Sequence, residues 1–120
     1  MAQKTLIQAI NEGLAQAMEA DPRVILLGED IGFNGGVFRV TEGLQKRFGA
    51  QRVFDTPLAE LGIVGTTVGL ALGGLRPVCE IQFDGFLSSV MDQVVCHLGR
   101  LRNSSQGRDH LPLVIRAPHG

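Results

Sequence analysis

Polar and acidic side chains cluster at three places where a buried strand is predicted to end. The segments are 28–30, 55–60 and 82–86, and they include Glu29, Glu60 and Phe86. In open sheets of parallel strands, ligands gather at the carboxyl ends of the strands. Carboxylates at such an edge can hold or transfer a proton. These three segments are therefore the first places to look for a functional site.

Glu60 has two interpretations on spacing alone. With Thr56 as the N-cap and Pro57 as the first helical residue, Ala59 takes the position at which a capping-box acid belongs. Glu60 falls one residue past that position, so a capping-box role is not the natural one. An acid in a first helical turn is nonetheless common, because the helix dipole favours it.

The glycines behind Glu60 favour a functional position for it. Gly65, Gly69 and Gly73 share one face of the predicted helix. Each glycine costs about 1 kcal/mol relative to alanine in a helix interior. A helix that tolerates several of them needs close approach by another backbone. The pattern predicts a tightly packed interface helix with Glu60 at its buried head.

The default interpretations of the other candidates are structural. Glu29 can be a solvated loop acid, and Phe86 belongs to the apolar face of a predicted helix, which favours core packing. The three histidines, His97, His110 and His119, show no metal-ligand spacing, and His97 is expected on a helix surface. The sequence has no GxGxxG, P-loop or HExxH motif.

The elements that position these residues alternate along the chain. Apolar spacing and stop signals predict four helices: from Thr5 to before Asp21, Glu42–Phe48 opened by Thr41 and closed by Gly49, a Gly-rich helix opening at Thr56, and a helix capped by Asp84 that carries Phe86. Buried strands are predicted at 24–27, 52–54, 78–83 and 113–115. This alternation predicts an α/β fold, a parallel sheet with helices on both faces.

Bulk properties narrow the class of partner. The 120 residues carry a net charge of -1, with 11 Lys+Arg against 12 Asp+Glu, which gives no electrostatic reason to expect nucleic acid or an anionic membrane. The apolar stretch 61–75 is shorter than the roughly 20 residues that span a bilayer. Cys79 and Cys96 are expected to be reduced, buried thiols. The start of the chain, Met1 to Lys4, leads into no apolar run of the signal-peptide kind, so a cytoplasmic location is expected.

Six ordered segments carry a resemblance to a known family. They are Leu26–Asp30, Gly35–Leu44, Phe54–Glu60, Gly74–Glu80 with Asp92–Val94, and Leu111–Arg116. In this order and spacing the chain resembles the beta subunits of pyruvate and branched-chain 2-oxo acid dehydrogenases. The resemblance covers nearly the whole chain.

The resemblance implies the pyrimidine-binding domain of the thiamin-diphosphate fold. Glu60 would hydrogen-bond a ring nitrogen of the aminopyrimidine of thiamin diphosphate and favour its imino tautomer. Phe86 would pack on that ring, Leu58 and Gln82 would line its pocket, and Glu29 would lie near it. The implied reaction is oxidative decarboxylation of a 2-oxo acid, with acyl transfer to lipoyl groups.

The same resemblance implies that the site is shared between chains. Expected partners are an alpha subunit and a second beta subunit in a heterotetramer, together with a lipoyl-bearing acyltransferase core. The diphosphate-and-magnesium motif is absent from this sequence, so magnesium would be held mainly by the alpha subunit. His119 does not match the family's substrate-side histidine. The isolated chain is therefore expected to be inactive.

The sequence leaves several alternatives open. It stops directly after a buried-looking strand that a helix would normally cover, which favours a single, incomplete domain over residues 1–120. A non-catalytic fragment that keeps only subunit association is one alternative. A thiamin-diphosphate enzyme of the transketolase type is another, although the run Gly35–Leu44 argues against it. Pyruvate and branched-chain substrates are not distinguished.

Overall fold

A four-stranded parallel sheet forms the centre of the molecule, as the computed structural model, which describes residues 3–119, shows. The strands, β1 to β4 in chain order, are Val24–Gly28, Val53–Asp55, Arg76–Glu80 and Val114–Arg116. Their spatial order is β2-β1-β3-β4, and every neighbouring pair is parallel. The predicted parallel α/β fold is confirmed. The third strand ends earlier than predicted, so Gln82 and Phe83 lie beyond it.

The first helix, α1, spans Leu6–Ala20 and begins where the sequence predicts. Its N-cap, Thr5, forms a capping box: the Oγ1 of Thr5 accepts from the backbone N–H of Gln8 at 3.2 Å, and the Gln8 side chain accepts from the N–H of Thr5 at 3.0 Å. At the other end, the Arg52 guanidinium donates to the carbonyl of Met18 at 2.8 Å. Arg52 thereby satisfies a carbonyl that the helix itself leaves free.

The second helix, α2, is shorter than predicted and spans Leu44–Phe48. Thr41 was expected to open it, but the Thr41 hydroxyl instead donates to the carbonyl of Ile31 at 2.7 Å. Because this bond holds Thr41 to the loop after β1, Gly43 becomes the N-cap, with φ at 77°. The predicted end is confirmed, since Gly49 follows the last helical residue with φ at 90°.

The Gly-rich helix, α3, spans Glu60–Leu72 and begins later than predicted. Thr56 is not its N-cap, because the Oγ1 of Thr56 has no hydrogen-bond partner among the described residues. The N–H of Thr56 donates to the carbonyl of Gly28 at 3.0 Å and extends the β1–β2 ladder. Ala59 precedes the helix without a side-chain cap bond. Glu60 is therefore the first helical residue and not one in the middle of the first turn.

The predicted amphipathic helix after β3 is broken into three pieces. A 3₁₀ helix spans Asp84–Val90, a π-helix spans Gln93–Leu98, and α4 spans Leu101–Ser104. Asp84 does not cap a helix, and its carboxylate contacts the Nδ1 of His119. Because the three pieces wind differently, the expected single apolar face divides, and side chains such as Phe86 point out to solvent.

Two apolar clusters lie on opposite faces of the sheet, which confirms the prediction of helices on both sides. The first includes Met18 of α1, Leu26 of β1 and Leu44 of α2. The second includes Leu27 of β1 and Val64 of α3, together with Val90 of the 3₁₀ helix. Adjacent strand residues point to opposite faces, so Leu26 and Leu27 divide between the two clusters.

The glycine face of α3 meets little of the described chain. A Cβ built on Gly65 would meet only the Gln93 side chain, at 3.9 Å, and one on Gly69 would meet nothing within 4 Å. A Cβ on Gly73 would meet only carbonyls of its own helix. The close-packed neighbour that these glycines predict is therefore not supplied by residues 3–119, and it stays a prediction.

The cysteines are both free, but only one is buried. Cys79 is fully buried, as predicted, and burial raises the pKa of its thiol. Cys96 was expected to be buried and is exposed, because the π-helix carries it on the outer side. His97, beside it, is exposed as predicted. Within residues 3–119, no helix has the length and apolar character needed to cross a bilayer. Met1 and Ala2 lie outside the described residues, and so does Gly120.

Candidate functional site

The four strands end in one row at the carboxyl edge of the sheet. Asp55 pairs with Gly28, Gly28 with Glu80, and Glu80 with Arg116, and each is the last residue of its strand. Residues paired in register point to the same face of a sheet. The three charged side chains therefore lie on the face that also carries α1 and α2. This edge is where ligands bind in open parallel sheets.

Glu29 follows this row and is buried, with 5% of its surface exposed. Its Oε1 has no hydrogen-bond partner among the described residues. Burial raises the pKa of the Glu29 carboxyl, and the nearby charges of Glu60 and Asp30 raise it further. The default interpretation, a solvated loop acid, is wrong. A buried carboxyl without a partner is costly unless a ligand or proton satisfies it.

Glu60 lies at the head of α3, close enough to Glu29 for its charge to act on that carboxyl. Its side chain is half-buried. The structure thus brings together two carboxylates that come from the ends of different strands. A negative charge near Glu29 favours the protonated form of that carboxyl. The pair can accept hydrogen bonds from a ligand that carries N–H donors or a basic ring nitrogen.

The remaining predicted site residues differ in their exposure to solvent. Leu58 is 79% exposed on the segment that leads into α3, and Gln82 is half-buried just past β3. Phe86 is 46% exposed, so plain core packing is not its role. Its ring lies edge-on to Phe83, with centroids 5.9 Å apart, and Phe83 lies edge-on to Phe38 at 6.0 Å. Phe86 thus presents an aromatic surface from the segment that packs against α3.

A separate cleft opens between β2 and α3. It has a volume of about 330 Å³ and is lined by side chains that include Phe54, Ile63 and Thr66. Thr56 lines it as well, and the Oγ1 of Thr56 is buried with no partner among the described residues. None of the five predicted site residues lines this cleft.

Sequence analysis missed a buried ion pair at the carboxyl edge. The Arg116 guanidinium donates from Nη1 to the Oε2 of Glu80, and the two side chains are 18% and 4% exposed. Burial lowers the pKa of Arg116. The available signal was that Glu80 is an acid within a predicted strand, 78–83, and that Arg116 directly follows another, 113–115. In residues 3–119, no group of three or more His, Cys, Asp and Glu side chains is arranged to hold a metal ion.

The comparison with known families agrees with this architecture. Residues 2–120 match the family described as the transketolase pyrimidine-binding domain, and the chain belongs to that family. The match covers the sheet, α3 with Glu60 at its head, and the row of strand ends.

Individual proteins are similar to this chain over all or nearly all of its length. The chain is 55% identical over its whole length to the pyruvate dehydrogenase E1 component subunit beta of Acholeplasma laidlawii. It is 58% identical over 96% of its length to the protein of that name from Leifsonia xyli, and 57% identical over its whole length to that of Bacillus subtilis. It spans 37%, 34% and 37% of the length of these three relatives.

Proposed function

We propose that this chain supplies the aminopyrimidine side of a thiamin diphosphate site in the beta subunit of a pyruvate dehydrogenase. The observation that carries the proposal is the pairing of buried Glu29 with Glu60 at the head of α3. The pair occurs in a chain of the pyrimidine-binding family. The names of the relatives favour pyruvate over a branched-chain oxo acid as the substrate.

The residues present fit an aminopyrimidine. The Oε1 of Glu29 is buried and lacks a partner among the described residues, so it can accept an N–H from a ligand. Glu60 is half-buried beside it and can hold a proton at a ring nitrogen. When bound, thiamin diphosphate supplies a carbon nucleophile and an electron sink for loss of CO₂ from a 2-oxo acid.

Each protein residue has a defined task in this proposal. Glu60 orients the ring and stabilises its protonated form, and the raised pKa of Glu29 lets that carboxyl hold a proton nearby. Phe86 offers its exposed ring for packing against the pyrimidine. Leu58 and Gln82 would line the pyrimidine pocket of the assembled site.

The other half of the site belongs to partner chains in this proposal. An alpha subunit would hold magnesium and the diphosphate, and it would form a heterotetramer with two beta subunits. A lipoyl-bearing acyltransferase core would accept the acyl group. The subunit names of the relatives support a multi-chain assembly in general. Residues 1–120 would then be one part of the pyrimidine-binding domain, located in the cytoplasm and inactive by itself.

Glu60→Gln in the full-length beta subunit, assembled with its alpha subunit, tests the proposal. The amide keeps a hydrogen bond but cannot stabilise a protonated ring, so turnover of pyruvate should fall by about 10²-fold or more, the usual contribution of a proton-transferring side chain. Decarboxylation is measured with an artificial electron acceptor, and assembly by light scattering. Glu12→Gln, on the exposed surface of α1, is the matched control. Turnover by Glu60→Gln within about threefold of wild type, far below that range, would overturn the assignment and favour the non-catalytic alternative.

A further inference from the structure

The loop after β1, residues 30–36, lies against the row of strand ends at two places. On one side, the Asp55 carboxylate accepts the N–H of Gly32 at 2.6 Å and that of Phe33 at 3.3 Å. Asp55 is the last residue of the edge strand β2. These bonds fix the loop to a strand that follows it by more than twenty residues in the sequence.

On the other side, the ion pair of Glu80 and Arg116 lies under the same loop. A Cβ built on Gly36 would lie 3.6 Å from the Oε1 of Glu80, so the loop backbone passes near this carboxylate. The other oxygen of Glu80 accepts from Arg116. Within the loop, the N–H of Gly36 donates to the carbonyl of Asp30 at 2.8 Å and closes the turn.

Glycine lets the backbone approach this row closely. A Cβ on Gly28 would lie 2.8 Å from the carbonyl oxygen of Glu80, and a Cβ on Gly32 would lie 2.8 Å from the Oδ2 of Asp55. A side chain on Gly28 would therefore push β1 away from β3, and one on Gly32 would displace the loop from Asp55 and from the Gln45 side chain. Glu29 stands between Gly28 and this loop, so the position of its carboxyl depends on how the loop is held.

We propose that Asp55 and the pair Glu80–Arg116 are positioning residues, which clamp the loop 30–36 and thereby fix the Glu29 carboxyl against Glu60. The inference rests on the proposed function for its catalytic consequence. Arg116 matters most, because it is the cation that compensates buried Glu80. Without it, an uncompensated carboxylate would lie beneath Gly36 and displace the loop.

The experiment uses the full-length beta subunit assembled with its alpha subunit. The variants are Arg116→Met, Glu80→Gln, the double variant of both, and Asp55→Ala. Arg108→Met is the matched control, since Arg108 also pairs with an acid, Asp109, but is 79% exposed. Hydrogen exchange of the amides in 30–36 is measured by mass spectrometry, together with kcat, KM for pyruvate and the pH profile of kcat.

Arg116→Met and Asp55→Ala should speed exchange in 30–36 by at least about tenfold, the change that corresponds to 1.4 kcal/mol of opening free energy. Arg116→Met should lower kcat by about 10²-fold, the size expected for misplacement of a reacting group by about 1 Å, and leave KM nearly unchanged. The acid limb of the pH profile should shift. The double variant should recover most of the loss, because it leaves no buried charge unpaired.

Two outcomes would overturn the clamp. One is exchange in 30–36 that matches the Arg108→Met control in every variant. The other is a loop that opens without any change in kcat or in the pH profile, which would make the pair merely structural. Failure of the proposed function is distinguishable, because it appears as full activity in Glu60→Gln, while the exchange measurement reports the clamp independently of activity.

Discussion

Glu60, at the head of α3, lies near enough to Glu29, which follows β1, for its charge to act on the Glu29 carboxyl. Burial, and then the charge of Glu60, raise the pKa of the Glu29 carboxyl above its ordinary value of 4.5. The two residues are 31 positions apart in the sequence, and only the parallel pairing of β1 with β2 brings their segments together. The site therefore exists only in the folded sheet.

The raised pKa makes Glu29 a source of pH-dependent instability. The folded chain retains a proton on Glu29 that the unfolded chain releases, so this group lowers stability as pH rises from about 4.5 through the folded pKa. Glu29→Gln removes the effect. The free energy of unfolding of this variant, relative to wild type, should increase with pH over that interval. Urea unfolding of the assembled subunits at several pH values measures it.

Asp84 offers a control of opposite sign. A hydrogen bond from His119 lowers the pKa of Asp84 below its ordinary value of 3.8. Its contribution to stability is therefore present above 3.8 and lost as pH falls through the folded pKa. Asp84→Asn should have a lower free energy of unfolding than wild type near neutral pH, and this difference should shrink as the pH falls through the folded pKa of Asp84. Parallel pH dependences for Glu29→Gln and Asp84→Asn would contradict both assignments.

Phe86 should matter for cofactor affinity more than for folding. Its side chain is 46% exposed. Phe86→Leu keeps an apolar side chain at this position and removes the flat ring. Loss of one aromatic contact is worth about 0.5–1.5 kcal/mol, which predicts a roughly 2- to 13-fold weaker Kd for thiamin diphosphate in the assembled enzyme. Calorimetric titration measures the affinity. Phe48→Leu, whose ring packs against the apolar cluster on the other face of the sheet, is the matched control, and equal affinities in the two variants would remove Phe86 from the site.

Alanine substitutions at Gly35 and Gly43 distinguish the cost of backbone strain from the cost of a steric clash. Their φ angles, 75° and 77°, are nearly equal, so alanine suffers the same left-handed strain of about 1 kcal/mol at both. At Gly35 the new Cβ would also lie 2.7 Å from the Cα of Glu42, whereas at Gly43 it would meet nothing within 4 Å. Gly35→Ala should therefore cost at least about 1–3 kcal/mol more than Gly43→Ala, the usual cost of overpacking. Urea unfolding measures the free energy of unfolding of both variants. Equal losses of stability would mean that the loop moves to accommodate the new Cβ at no measurable cost.

Residues 1–120 alone should not form a well-behaved monomer. Val114 on β4 is 53% exposed, and apolar side chains including Leu58, Phe86 and Met91 are also uncovered. The open face of α3 around Gly69 adds surface that favours association. Light scattering with thermal unfolding is the measurement. A soluble monomer with one sharp transition would show that these surfaces need no partner.

Local patterns predicted the sheet well and the helix boundaries less well. The apolar run that begins at Val24 is compatible with one kind of element, a strand buried on both faces, and all five residues of β1 are buried. Thr56-Pro57 carries a strong helix-start signal, but the N–H of Thr56 is used by the ladder with Gly28. A hydrogen bond to a distant strand overrides a local preference, and the sequence does not display it.

The candidate site, like the fold, could be predicted from the sequence only in part. Glu29 and Glu60 lie in the segments 28–30 and 55–60, which follow predicted strands, so their location at the sheet edge could be inferred from order alone. The pair of Glu80 and Arg116 depends on the register between β3 and β4, whose residues are 36 positions apart. The exposure of Phe86 depends on 3₁₀ and π winding after β3, which the regular apolar spacing conceals.

The row of strand ends has a consequence for how the chain reaches its fold. Side chains alternate between the faces of a strand, so a slip of β3 by one residue would exchange the surroundings of Glu80 and Cys79. The carboxylate would then enter the apolar cluster around Leu27 and Val64, away from Arg116. A misaligned sheet would therefore be unstable from the outset. The charged row therefore favours the observed register of the strands over a register that is shifted by one residue.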